Sequence, residues 1–185
     1  MTYIEIEFKD ITFDPEVQSY CVNSNFRCPN YNHSWACPPE APYLEKEVSA
    51  FSKFFLIYSK CNLNKYIENE KLKHPNQSMK IIKNKLLSSN FLRDQLEKEI
   101  FEFLNKFQDN FEHKLILWDG YCRVCYKLGK NCTYDDGIPC KYPDKIRYSM
   151  EAVGINVDKT VKKLKIPIQW PPINHVYRFG LICFR

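Results

Sequence analysis

The sequence predicts an α+β domain: a single mixed or antiparallel sheet covered by helices, with two cysteine-rich loops hung between the elements. Three observations carry this. Apolar residues alternate at the N-terminus, as in a half-buried strand. A long stretch near the middle of the chain repeats its apolar residues with helical period. Nine cysteines in 185 residues fall mostly into two proline- and glycine-broken stretches. No fixed-period repeat and no linker-like segment divides the chain, so residues 1–185 are expected to form one domain.

Tyr3 to Phe8 reads Tyr-Ile-Glu-Ile-Glu-Phe and is the first predicted strand. A first cysteine loop, residues 21–43, follows and is broken by Pro29, Pro38, Pro39 and Pro42. Ala41 to Ser49 is expected to be a short helix. Phe54 to Lys60, a continuous apolar run, is expected to be a central strand. A basic stretch leads into a long helix predicted from Ser78 to Gln108, its weak point being Ser88-Ser89-Asn90. Leu92, Leu96, Ile100, Phe103, Leu104 and Phe107 form its apolar face.

Lys114 to Trp118 is a further short strand, ended by Asp119-Gly120. The second cysteine loop spans residues 120–143. Two short helices are then predicted: Ser149 to Val153, stopped by Gly154, and Val157 to Leu164, capped by Asn156. In the second, Asp158 in the first turn and Lys162-Lys163 in the last match the helix dipole. Tyr177 to Arg185 closes the sheet, its approach kept extended by Pro167, Pro171 and Pro172.

Composition bounds the function. The longest apolar run, Phe54 to Tyr58, is far short of the ~20 residues that a membrane helix needs. MTYIEIEFKD carries two glutamates and no apolar h-region, so no signal peptide is read there and a soluble cytoplasmic protein is expected. An odd number of cysteines in such a protein argues against a disulfide framework and for metal or redox chemistry. The net charge of +5 is local: Lys60 to Lys85 holds seven lysines against Glu68 and Glu70, which balances the rest of the chain to zero. That pattern suits a solvated helix-loop surface or a docking patch for an acidic partner, and makes nucleic acid an unfavoured partner. Five glycines supply no phosphate-binding loop, so no nucleotide cofactor is expected.

The second loop reads Cys122-Arg-Val-Cys125, then Cys132, then Cys140-Lys-Tyr-Pro143. A two-residue gap lets both thiolates of a tight turn address one metal centre, as in zinc and iron–sulfur sites. Structural zinc usually takes two short-gap pairs, whereas only one is present here, and no histidine lies between Cys122 and Cys140. Singly spread cysteines suit the separate iron corners of a [4Fe-4S] cubane, which is the preferred reading, with zinc as the alternative. Arg123, Lys127, Lys130, Lys141, Lys145 and Arg147 are read as cations able to offset the negative charge of such a centre.

The first loop places Cys21, Cys28 and Cys37 at gaps of six and eight residues. This triad is a weaker ligand set. It could hold a second cluster with one position open to a small ligand, or borrow Cys61 or Cys183 as a fourth thiol. His33 is the local non-thiol candidate. Cys61 and Cys183 otherwise read as buried, inert thiols.

At these two loops the sequence resembles the predicted metal-binding proteins catalogued as domain of unknown function 2284, found mainly in anaerobic archaea and bacteria. The matching stretches are Cys28-Pro-Asn-Tyr31-x3-Trp35-Ala-Cys37-Pro38-Pro39, then Cys122-x2-Cys125, Cys132 and Pro139-Cys140-Lys-x-Pro143. Arg147-x-Ser149-Met-Glu151-Ala152-x-Gly154-Ile155-x-Val157 completes them. The six-residue gap before Cys132 departs from the two residues common in the family, and Lys141 and Asn156 stand where Arg and Asp are usual. The resemblance implies metal binding and no particular reaction.

Three function classes follow. The first is an iron–sulfur protein with one or two clusters, serving electron transfer or small-ligand chemistry in anaerobic metabolism, with a redox partner protein. The second is a zinc-stabilised, non-catalytic module docking an acidic protein or RNA through the lysine patch. The third, an enzyme with a cysteine nucleophile, is disfavoured, because His33, His74, His113 and His175 sit in no recognisable nucleophile motif.

Overall fold

The run Phe54-Phe55-Leu56-Ile57 is buried on both faces of the sheet, as a continuous apolar strand requires. The computed structural model describes residues 2–23 and 26–185. Its main sheet has four strands: β1 (Tyr3–Ile6), β4 (Lys53–Asn62), β5 (Lys114–Leu117) and β6 (His175–Phe184). They lie in the order β1-β4-β6-β5, and every pairing is antiparallel. The two long strands pair along their full length, from Lys53↔Phe184 to Asn62↔His175. A separate two-stranded ribbon, β2 (Val22–Asn23) and β3 (Phe26–Arg27), lies within the first cysteine loop.

Alternation sorts the side chains of the sheet into two cores. One face carries Phe54, Leu56, Leu117, Phe179 and Leu181. It packs on Val48 of α1 (Glu45–Ser49), on Met150, Val153 and Ile155, and on Val161 of α6 (Val157–Lys163). The other carries Phe55, Ile57, Ile182 and Phe184 against Leu96, Ile100 and Phe103 of α4 (Phe91–Lys106). Gly180 of β6 permits this approach: a Cβ there would stand 2.9 Å from the Leu117 carbonyl oxygen and 3.0 Å from Ile100 Cδ1. A third cluster joins Leu63 and Ile67 of α2 (Leu63–Lys73) with Ile82 and Leu86 of α3 (Met79–Ser88).

Several boundaries differ from the sequence expectation. The helix expected over Ala41 to Ser49 begins only at Glu45, because Pro42 and the extended chain around it precede it. The long helix from Ser78 to Gln108 is two helices. Ser89, at ψ 158°, leaves the helical region between them, and its hydroxyl donates to the Leu86 carbonyl at 2.9 Å. The basic stretch supplies a helix of its own, α2, capped by the Asn62 side chain accepting from the Lys65 N–H at 3.0 Å. The helix expected over Ser149 to Val153 is a single 3₁₀ turn, Glu151–Val153. Its stop is as expected: Gly154 adopts φ 94°, and a Cβ there would strike the Tyr43 ring. Asn156 caps α6 through the Lys159 N–H. Among the described residues, no helix is long and apolar enough to cross a membrane.

Candidate metal centre

The second cysteine loop starts where β5 leaves the sheet. The Trp118 N–H donates to the Tyr148 carbonyl at 2.8 Å, and Trp118 forms a lone parallel bridge with Ser149. The chain then passes Cys122 and makes the single turn α5 (Val124–Lys127). The Cys125 carbonyl accepts from both Leu128 and Lys130 N–H groups, which closes the loop tightly round that thiol. A second small loop, from Thr133 to Pro139, is held by the Thr133 hydroxyl donating to the Pro139 carbonyl at 3.1 Å. It returns the chain to Cys140.

Cys122, Cys125, Cys132 and Cys140 are all half-buried and line one small cavity. Burial pushes the Cys125 thiol up, and the thiols of Cys132, Cys122 and Cys140 push in the same direction, while Lys141 opposes them. A bound cationic centre would relieve that repulsion on Cys125.

The first loop forms the opposite wall: Ser34, Trp35 and Ala36 line the same cavity. Trp35 donates its indole N–H to the Ile138 carbonyl at 3.1 Å, and its ring meets Tyr134 edge-on at 4.9 Å. Tyr134 donates to Asn32 Oδ1 at 2.8 Å, and His33 Nδ1 pairs with Asp135 Oδ1 at 2.8 Å. His33, the candidate non-thiol ligand, is thus committed to fastening the two loops through Nδ1.

Cys21 and Cys28 face each other just outside the Val22↔Arg27 pair of the β2–β3 ribbon, with the Cys28 N–H donating to the Cys21 carbonyl at 2.8 Å. Burial drives the Cys21 thiol to about 11, with Cys28 and Glu151 adding to it. Cys37 is 8% exposed. Burial carries its thiol to about 12, Ser34 opposes this through a hydrogen bond, and Cys28, Cys21 and Cys122 reinforce it. The triad therefore sits together, and Cys37 is within electrostatic reach of Cys122. Cys183 lies in the core beneath the sheet and Cys61 lies against the α2–α3 cluster; burial alone raises their thiols, and no other cysteine contributes.

Three of the six cations expected to face the cysteines are paired with a carboxylate instead, while Lys141 acts on Cys125. Arg123, Lys127 and Arg147 converge on Glu97 of α4, at 2.7, 2.6 and 2.7 Å. Arg123 also reaches Asp94 at 2.6 Å. Burial works to raise the Glu97 carboxyl, but the hydrogen bonds and charges of Lys127 and Arg147 outweigh it and hold the group below its ordinary value. Spacing alone could not find this hub, because an acidic residue on a polar helix position looks solvated until the loop folds over it.

Sequence reasoning also passed over Glu151, quoted there only within a motif. With Asp119 and Arg178 it borders a second cavity of about 240 Å³. Glu151 is exposed at the cavity's edge, and desolvation by the surrounding protein together with the charge of Asp119 pushes its carboxyl up. Its available signal was position: a lone carboxylate between the buried Met150 and Ala152.

Among the described residues, no three or more His, Cys, Asp or Glu side chains are drawn in tightly enough to hold a single ion. The donor set nevertheless fits a thiolate-ligated centre: four cysteines of one loop share a cavity, and Cys37 of the triad is within electrostatic reach of one of them. No curated protein and no solved structure matches the chain. The family model described as "Predicted metal-binding protein (DUF2284)" matches residues 4–184. The chain belongs to that predicted metal-binding family.

Proposed function

We propose that this chain is a cytoplasmic iron–sulfur protein whose Cys122, Cys125, Cys132 and Cys140 hold a [4Fe-4S] cluster. The observation that carries the reading is that these four thiols line one cavity covered by Trp35. One short-gap pair with two singly placed thiols round a shared space suits the separate iron corners of a cubane better than structural zinc, which usually takes two short-gap pairs. Such a cluster supplies one-electron transfer at the potential set by its burial and hydrogen bonding. Cys21, Cys28 and Cys37 are the ligands proposed for a second, three-thiol centre. Its proximity to Cys122 supports electron transfer between the two, and its missing fourth thiol supports binding of a small ligand.

The test is metal and acid-labile sulfide analysis of anaerobically purified protein. About four irons with matching sulfide are expected for the second loop alone, and about eight if the triad is also loaded. Zinc near one per chain without sulfide would overturn the reading. It would favour the zinc-stabilised docking module, which the exposed lysines of α2 and α3 and the exposed Leu72, Met79 and Ile81 among them would then serve. An RNA partner for that module would show affinity falling steeply with salt.

A further inference from the structure

The cavity beside Glu151 exists because the sheet is incomplete there. β5 pairs with β6 only over Leu181–Phe184, so on that side His175–Gly180 have no strand partner among the described residues. The space is closed instead by the segment before β6, with Ile168, Trp170 and Pro172 in its wall. At about 240 Å³ it is smaller than the ~300–1,000 Å³ of drug-sized ligand sites, so its occupant is small.

Three carboxylates border it, and two are matched. Asp119 lies 3.2 Å from Arg93 Nε and 3.5 Å from Arg178. Asp158 pairs with Lys162 at 2.7 Å. Glu151 has a hydrogen bond with Ser149 and feels the charge of Arg178, with which it makes no ion pair. Aromatic rings complete the lining: Tyr177 and Phe179 lie parallel with centroids 5.9 Å apart, and Trp170 at the mouth is 84% exposed. An anion entering here would meet three carboxylates, Asp119, Glu151 and Asp158, against Arg178 and His175, and Arg178 already lies 3.5 Å from Asp119 and donates to the Leu87 carbonyl, with its Nε left unpartnered among the described residues. A neutral apolar guest would gain nothing from Glu151, which is exposed at the cavity's edge. A cation with an apolar body would satisfy both the carboxylate and the rings.

We propose that this cavity is a binding site for a small protonated or methylated amine, with Glu151 as its counter-charge and Trp170 and Tyr177 as its aromatic walls. This deepens the small-ligand part of the proposed function and rests on that reading for its biological meaning, though not for the binding itself. Glu151 also acts electrostatically on Cys21, so the cavity adjoins the three-thiol group.

The test is isothermal titration calorimetry of the metal-loaded protein with tetramethylammonium chloride. tert-Butanol serves as the neutral probe of the same shape, and sodium acetate as the anionic one. Saturable binding of about one tetramethylammonium per chain is expected, weakened at least ten-fold by Glu151→Gln and about three-fold by Trp170→Ala. Absence of saturable binding would overturn the proposal, as would equal affinity for either control probe or full affinity in Glu151→Gln. Should that variant fail to fold, Trp170→Ala decides, because its side chain is too exposed to support the core. Iron and sulfide measured on the same samples separate the two ideas. Normal metal content without amine binding overturns the amine site alone, and amine binding to protein without iron or sulfide overturns the cluster reading alone.

Discussion

The two cysteine loops solve different problems with the same residue type. The second draws four thiols from one short stretch to one cavity and is pinned to α4 by three cations on Glu97. The first supplies three thiols, two across a ribbon and one buried, and spends Ser34, Trp35 and Ala36 on roofing its neighbour. A full complement of thiols with a rigid base describes a closed centre. A three-thiol group beside a cavity describes an open one. Under the proposed function, the second loop would store the electron and the first would meet the ligand.

The largest expected effect separates the loops chemically. Cys122→Ala should abolish the visible thiolate-to-metal absorption of the second loop. Cys21→Ala should leave that absorption in place, with iron content falling only by the share of the triad. Equal loss of absorption in both variants, read by spectroscopy and iron analysis, would show one shared centre and erase the distinction.

Next in size is the base of the second loop. Glu97→Gln leaves Arg123, Lys127 and Arg147 facing a neutral amide in a site where Glu97 is only 7% exposed. Breaking such a buried ion cluster should cost about 3–5 kcal/mol, read as a lower denaturant midpoint at constant slope. The same carboxyl gives a pH dependence. It is held below its ordinary value of 4.5, so its stabilisation is full above that pH and is lost as pH falls through the lower folded value. Wild type should lose stability in that acid window, and Glu97→Gln should lose less over it.

Smaller is the roof. Trp35→Ala removes the edge-on ring pair with Tyr134 and the indole bond to Ile138, for about 1–2 kcal/mol. It should also speed removal of the second-loop metal by a chelator, and lower the global unfolding midpoint by less than Glu97→Gln does. The smallest effect belongs to the His33–Asp135 pair, whose side chains are about half or more exposed. His33→Ala should change stability by about 0.5 kcal/mol or less, and its metal content should be that of wild type. A fall in metal content would restore His33 to the ligand set.

Much of this architecture was legible in the residues. Phe54 to Ile57 reads as a central strand and is buried on both faces, and the period from Leu92 reads as a helix, which the structure lays on the sheet. The spacing of Cys122, Cys125, Cys132 and Cys140 already confined four thiols to one loop, and the structure gives them a common cavity. The cations around them were legible as charges but not as partners. Arg123, Lys127 and Arg147 found a carboxylate 50 or fewer residues away on a helix, which no local pattern announces.

The sequence by itself determined the α+β class, the antiparallel-compatible strand pattern, the cap at Asn156, the stop at Gly154 and the grouping of the cysteines. These depend on near neighbours: alternation, helical period, turn chemistry and short loop closure. Only the tertiary structure decided that the first loop roofs the second, across separations of more than 100 residues such as Trp35 to Ile138. It alone decided that Glu97 anchors the metal-binding candidate loop, and that Glu151 and Asp119 meet at the open edge of β6. Those choices rest on burial and charge pairing between distant segments, whose free energies exist only once the sheet has brought the segments together.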